Sequence, residues 1–333
     1  MLIYRPGDAW EPACAAPGNA MNFRRLQYFV KIVDVGSLTQ AADILHVAQP
    51  ALSQQLATLE AEVRQKLLVR TKRGVTPTAA GTMLYRHAHL ILRQVEQARA
   101  DMKAAGQGLS GAVSVGLAPG TAAADLALPL LRTVRERHPG VVFYLNETYG
   151  RTLSELIMTG RMDLAVLYGG MTTVHGLAFE LLLFEPLYLV GPLGMPGPAD
   201  PVALREIEDM ELYLPRPYNV VRNMVDNACA GAGIVPHVVA EIESDGTLTA
   251  VIGAGLGATI LPESMARRVL AACPAWRSRI VDPAIEAPLA LCQSDHLPLS
   301  EPALAVKEMV LELAERLPGA KARPAGKTAA RRT

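Results

Sequence analysis

Two neighbouring stretches hold the residues best suited to chemistry, and that chemistry is hydrogen bonding to a polyanion rather than bond making. In QPALSQQLATLEA, residues 49–61, Leu52, Leu56 and Leu59 recur at helical spacing, and Val63 continues their stripe. The opposite face carries Pro50, Gln54, Ala57 and Ala61, with Ser53 on the flank and Gln49 at the start; the stretch has no Lys or Arg. Neutral amides and hydroxyls beside small alanines suit the base edges of a DNA major groove, where donors and acceptors are read at close range. Positive charge follows in LLVRTKRGVTPT, where Arg70, Lys72 and Arg73 precede Gly74 between apolar and β-branched runs. This is the pattern of a two-stranded wing reaching for phosphate or the minor groove. Taken alone, the first stretch is a solvated helix face and the second a basic loop. Their order and spacing favour a joint role at DNA.

The elements that must position these residues are legible upstream. Leu26, Phe29, Val30 and Val33 predict an amphipathic helix ending near Gly36. Ser37 is placed to cap a second helix, LTQAADILH, which carries Thr39 and the small or apolar Ala41, Ala42 and Leu45. A turn at His46–Ala48 leads to Pro50, tolerated at a helix start because its missing N–H would have been unpaired. Two short helices joined by a tight turn make a helix-turn-helix. Downstream a long helix starts near Thr78, capped by Thr76 or Thr78. In it Leu84, Ala88, Ile91, Val95, Ala98, Met102 and Ala105 alternate at spacings of four and three. Such a heptad seam predicts a dimer; the competing reading is packing against the chain's own domain.

Charge is segregated along the chain. Residues 21–110 hold 12 Lys+Arg against 6 Asp+Glu, and residues 111–318 hold 14 against 24, while the tail from Gly319 adds five basic residues and no acid. A basic module ahead of an acidic one fits phosphate contact by the first. Cys14, Cys229, Cys273 and Cys292 are scattered and form no C-x-x-C pair, which predicts reduced thiols rather than a disulfide frame or a zinc site. No apolar run approaches a spanning helix, and the first 20 residues lack the pattern of a signal peptide, so the expected location is the cytoplasm. Those 20 residues read as a disordered leader, or as upstream codons with Met21 the first biological residue.

The string AADILHVAQPALSQQLATLE, the wing LLVRTKRG and the T-x-A-G at Thr78, Ala80 and Gly81 resemble the LysR-type transcriptional regulators, a likeness that runs from Met21 to about Leu317. Within that family the likeness is greatest to members controlling nitrogen-assimilation genes, on MNFRRLQYFVKIVD, RTKRGVTPT, LSGAVSVGLAPGTAA and LPESMAR. The resemblance implies double-stranded DNA and RNA polymerase as partners, an interrupted palindrome as target, and a dimer or a tetramer built as a dimer of dimers. It places Gln49, Pro50, Ser53 and Gln54 against bases and backbone and Arg70 in the minor groove, with Ser37, Thr39, Lys72 and Arg73 as further DNA contacts. Dimerisation falls to Leu84, Ala88, Ile91, Val95, Ala98 and Met102. Many relatives have arginine where Gln54 stands and leucine where Pro77 stands, which bears on base preference and on the wing hinge. Regulators of the nitrogen branch are thought to need no co-inducer.

Beyond the glycine-rich joint GQGLSG, strands and helices alternate: VSVGL, VVFYL and DLAVL read as buried strands, with helices at about 122–138 and 152–159. A second set follows: a helix near 202–209, ELYLP, a helix in YNVVRNMVDNACAG, VPHVVAEIES, a helix in GTLTAVIGAG, and ATILP. LLLFEPLYLV and PLALCQ are the expected crossings between two lobes. The predicted whole is α+β and multidomain: a winged helix-turn-helix at 21–78, a linker helix at 79–108, a two-lobed α/β effector domain at 111–318 resembling periplasmic binding proteins, and a basic disordered tail. A small-molecule effector would lie between the lobes, with Thr121, Thr148, Ser244 and Thr247 facing it; the plainer reading makes these residues helix caps. GAGLGATI, residues 253–260, lies after a helix and before a strand, the reverse of a dinucleotide fingerprint, and no hydrolase, zinc or P-loop motif occurs. Neither an enzyme nor a cofactor is expected. A solute-binding protein would account for the lobes and leave the first 90 or so residues unexplained.

Overall fold

The computed structural model describes residues 22–71, 74–104 and 109–319. The leader and Met21, Lys72 and Arg73, Ala105, Gly106, Gln107 and Gly108 of the glycine-rich joint, and the basic tail after Gly319 lie outside the described residues. Two compact units meet between Gln94 and Val95, inside the long helix.

The first unit is three helices and a wing. α1 (Phe23–Val35) starts at Asn22, whose side chain accepts from the Arg24 amide, and stops at Gly36, held at a φ of 68°. Leu26, Phe29, Val30 and Ile32 are buried, so Ile32 takes the core place expected of the half-buried Val33. α2 (Leu38–Leu45) is capped by Ser37, as expected, and closes on His46. α3 (Gln49–Val63) buries Leu52, Leu56 and Leu59. Pro50 is its second residue rather than its first, at a position where a backbone N–H would again lack an intrahelical partner. β1 (Leu68–Thr71) and β2 (Gly74–Pro77) pair antiparallel, with Arg70 opposite Val75.

α4 (Ala79–Ala104) starts at Thr78, whose hydroxyl oxygen accepts from the Gly81 amide at 2.9 Å while its proton goes to the Lys66 carbonyl; Thr78, not Thr76, is the cap. A Cβ at Gly81 would lie 2.0 Å from the Leu67 carbonyl oxygen, so glycine alone lets α4 run this close to the root of the wing. The heptad expectation needs correction at its start. Ala88 is 0% exposed and Leu84 packs beside it on the Leu26–Leu59 core, because the first turns of α4 close the helix-turn-helix from below. Ile91, Ala98 and Met102 are exposed, Met102 to 71%, and Val95 is half-buried.

The second unit begins with β3 (Ser110–Leu117), a 3-10 turn (Ala122–Leu126) and α5 (Ala127–Arg137), followed by β4 (Gly140–Glu147), α6 (Gly150–Met158), β5 (Leu164–Tyr168) and β6 (Leu177–Pro192). Next come β7 (Val202–Ala203), a 3-10 turn (Leu204–Ile207), β8 (Leu212–Leu214), α7 (Val220–Ala232), β9 (Val238–Glu241), α8 (Asp245–Gly253) and β10 (Thr259–Pro262). α9 (Glu263–Ala272), β11 (Ala275–Val281), β12 (Glu286–Ser294) and α10 (Glu301–Ala314) complete it. The main sheet runs β4-β3-β5-β12-β6-β11-β7, with β10 also on β6. Its β4-β3-β5 part is parallel, whereas β12 pairs antiparallel with both β5 and β6.

β6 is the first crossing: residues 177–186 pair with β12 and residues 187–192 with β10 and β11. The second crossing lies in the short link between β11 and β12, not in PLALCQ, because β12 pairs with β5 and the first part of β6. Three other expectations are corrected. The helix near 202–209 is a two-residue strand and a 3-10 turn, since Val202 pairs with Ile280. VVFYL is an edge strand: Val141 is buried, while Val142 and Tyr144 are more than half exposed. The helix expected at 122–138 opens as 3-10 before turning α-helical at Ala127. α9, β11 and α10 were not foreseen.

Candidate nucleic-acid interface

The outer face of α3 is built by subtraction. Once Leu52, Leu56 and Leu59 are committed to the core, Gln49, Pro50, Gln54, Ala57 and Ala61 are left exposed together. The Gln54 amide has no side-chain hydrogen bond among the described residues, whereas its neighbour Gln55 accepts from Arg25 Nε at 3.1 Å. Arg25 also pairs with Glu62, so one guanidinium clamps two successive turns of α3 to α1. Of the three polar residues in SQQ, then, the last is structural, and the Gln54 amide and the Ser53 hydroxyl proton are left for a ligand.

The start of α3 differs from those of α1 and α2. Ala48 supplies no side-chain cap and Pro50 has no N–H, so the first-turn amides and the positive end of the helix dipole are open to an anion such as a phosphate. Ser37 and Thr39 lie at the start of α2; the Ser37 oxygen accepts from the Gln40 amide at 3.4 Å, and Thr39 is exposed. Arg70 projects from β1 and its Nη2 donates to Ser53 Oγ at 2.9 Å. The structure thus joins the wing arginine to the helix serine, two residues expected at DNA for separate reasons.

Glu60 fixes where that wing starts. Its Oε1 accepts from the Leu67 and Leu68 amides at 2.9 and 3.4 Å and its Oε2 from Lys66 Nζ at 2.7 Å. Burial pushes this carboxyl up, but the Lys66 ammonium and the two amides outweigh it and hold the pKa below the usual glutamate value. The wing is anchored at its far end too, where the Val75 amide donates to the Gly36 carbonyl at 2.8 Å. Gly74 is required beside that bond: its φ is 121°, and a Cβ there would stand 2.6 Å from the Gly36 oxygen. Arg25, Gln55 and Glu60 brace this face through partners distant in the chain, which no local spacing announces, although Glu60 ends the string that carries the family likeness.

In the second unit a cleft of about 550 Å³ opens among the loop after β3, the starts of α6, α7 and α8, and β10. Of the four predicted effector residues only Thr121 lines it, and its hydroxyl is already spent: it donates to the Ala118 carbonyl at 2.8 Å and accepts from the Ala123 amide at 3.0 Å. Ser244 caps α8, its hydroxyl oxygen accepting from the Thr247 backbone amide, and Thr148 donates its backbone amide to the Leu117 carbonyl; Thr148, Ser244 and Thr247 do not line the cleft. The cleft is lined instead by their neighbours, Tyr149, Glu243 and Asp245 among them. Burial, opposed by Arg268 and aided by Glu243, raises the Asp245 carboxyl. Behind the cleft the buried Glu185 of β6 accepts from the Ala122 amide at 3.1 Å, the Ser264 amide at 2.6 Å and the Tyr168 hydroxyl at 2.7 Å. It fills the N-termini of a 3-10 turn in one lobe and of α9 in the other. GAGLGATI is the turn expected between α8 and β10, with Gly257 packed against Tyr213.

Residues 23–82 match the bacterial regulatory helix-turn-helix protein, lysR family, and residues 106–315 match the LysR substrate binding domain. The chain is 52% identical to the nitrogen assimilation regulatory protein nac of Klebsiella aerogenes, over 89% of this chain and 96% of that one. It is 50% identical to the protein of the same name from Escherichia coli (strain K12), over 88% and 95%. A full-length OxyR variant from Pseudomonas aeruginosa has the same fold, with a TM-score of 0.70 at 22% identity, covering 92% of this chain and 99% of that one. Full-length CbnR solved with its target DNA superposes with a TM-score of 0.61 at 25% identity, over 88% and 100%. The chain belongs to the LysR family of bacterial regulatory helix-turn-helix proteins.

Proposed function

We propose that this regulator binds an interrupted palindrome ahead of nitrogen-assimilation genes and acts on RNA polymerase there, working in the cytoplasm. The carrying observation is the bare, uncharged outer face of α3, with an uncapped helix start at one end and the Arg70 wing at its side. Amides and hydroxyls supply base readout, and the wing and the open first turn supply phosphate contact. Likeness to the two nitrogen assimilation regulatory proteins supports the choice of genes. Self-association would run through the exposed stretch of α4 at Ile91, Ala98 and Met102, with the half-buried Val95. The open edge of β4, bearing Val142 and Tyr144, offers a second surface on which dimers pair into a tetramer. Mapping chromosomal binding with and without ammonium tests the reading: occupancy of nitrogen-utilisation promoters supports it, and occupancy confined to unrelated operons rejects it.

A second reading keeps the regulator and adds a gate. The cleft supports it, since about 550 Å³ is room for a small metabolite beside Tyr149, Glu243 and Asp245. Calorimetry against a metabolite set separates the two readings, because a regulator governed by its own abundance gives no heat.

A further inference from the structure

Ser53 is half-buried on the flank of α3, and Arg70 is exposed on β1. The Nη2–Oγ bond between them, at 2.9 Å, spans helix and wing. A solvent-facing bond of this kind adds little to stability, so the fold does not depend on it. Its effect is on the hydroxyl. A serine oxygen that accepts from a guanidinium has its proton left to give away. Among the described residues that proton has no acceptor, whereas Thr58, five residues on, returns its own to the Gln54 carbonyl at 2.9 Å. Ser53 is held as a donor whose partner must come from outside the protein.

We propose that Arg70 is a positioning residue for sequence reading: its cation on one lone pair of Ser53 Oγ makes the other a poorer acceptor and the O–H a better donor, so that Ser53 favours a base presenting an acceptor. Purine N7, guanine O6 and thymine O4 qualify, whereas the cytosine amino group, itself a donor, meets only the weakened second lone pair. This rests on the reading that α3 enters the major groove. It gives the wing arginine a part in specificity that contact with phosphate, or insertion in the minor groove, would not. The remaining N–H groups of Arg70 stay available for phosphate.

The test is a competition binding series with the full chain on an operator library varied one base pair at a time, for the wild type, Ser53→Ala, Ser53→Thr, Arg70→Ala and the double alanine variant. The wild type discriminates against cytosine at one position by roughly fivefold, the worth of one hydroxyl bond. Ser53→Ala and Arg70→Ala each flatten that same position, the double variant flattens it no further, and Ser53→Thr keeps the preference. Arg70→Ala also weakens every sequence by a common factor through lost phosphate contact. If Arg70→Ala gives only that uniform weakening and leaves the Ser53 position unchanged, the positioning role is overturned while DNA reading stands. If the wild type shows no sequence preference at all, the DNA reading falls and this inference with it.

Discussion

Glu185 is the side chain on which the second unit's two lobes converge, and its removal gives a quantitative test of how they are joined. The carboxylate is 3% exposed and takes three donors: the Ala122 amide, the Ser264 amide and the Tyr168 hydroxyl. Burial and the nearby Glu185 hold the Tyr168 phenol well above its ordinary pKa, so it remains the donor. Glu185→Gln leaves one oxygen for three donors. Two bonds lose charge assistance, about 1 kcal/mol each, and one amide is left facing an NH2 group, which costs about 1–3 kcal/mol. Relief from burying a charge offsets part of this, leaving a net loss of roughly 2–4 kcal/mol.

For a unit of this size such a loss lowers the melting temperature by roughly 5–15 °C. The assay is denaturant unfolding and calorimetry of wild type, Glu185→Gln, Tyr168→Phe and the double variant. The cycle should show coupling above about 0.5 kcal/mol, as expected for residues sharing one bond. Equal stability of Glu185→Gln and wild type, or strict additivity with Tyr168→Phe, refutes the view that this carboxylate joins the lobes.

Three further expectations follow from the first unit and α4. The lowered pKa of Glu60 means that its contribution to stability is complete above the ordinary glutamate range and is lost as pH falls through the folded-state value; Glu60→Gln should therefore flatten the acid limb of the stability profile, as read by circular dichroism. Gly81→Ala should cost about 3 kcal/mol, the upper end for overpacking, because the Leu67 oxygen stands 2.0 Å from the added carbon; unfolding of the purified protein measures it. Met102→Glu should weaken self-association more than tenfold through the loss of ~1.5–3 kcal/mol of apolar burial per site, while Ala88→Gly, buried inside the first unit, should lower stability and leave the association constant alone; sedimentation reads both.

What could be read from the sequence, and what could not, follows from where each signal is stored. The helix-turn-helix was legible because its core is local: Leu26 and Phe29 on α1 and Leu52, Leu56 and Leu59 on α3 announce their faces by spacing alone. Partners distant in the chain were not. Val202 looks helical beside Leu204 and Ile207, and only its pairing with Ile280 makes it a strand. Val142 and Tyr144 look buried in VVFYL, yet nothing in that string says that β4 has a neighbour on one side only. The heptad in α4 was real as a pattern, but spacing cannot say which partner covers it, and at Leu84 and Ala88 the partner is the chain itself. α9 and α10, absent from the expected elements, do carry local helical signals, in Met265, Ala266 and Val269 and in Ser300 ahead of Pro302. Thr121 and Ser244 were placed correctly beside helix starts, and the choice between cap and ligand site needed their hydrogen bonds.

The measurement that bears most directly on the function is a DNase footprint of the full chain on a nitrogen-utilisation promoter, beside Gln54→Ala and Gln55→Ala. Gln54 is exposed on the outer face of α3 with its amide unused, and Gln55 is held by Arg25. The account predicts protection over an interrupted palindrome by the wild type, marked loss of sequence preference in Gln54→Ala, and an unchanged recognition sequence in Gln55→Ala with only a stability cost. Protection by Gln54→Ala with wild-type affinity and sequence preference would contradict the claim that this uncharged helix face reads the DNA.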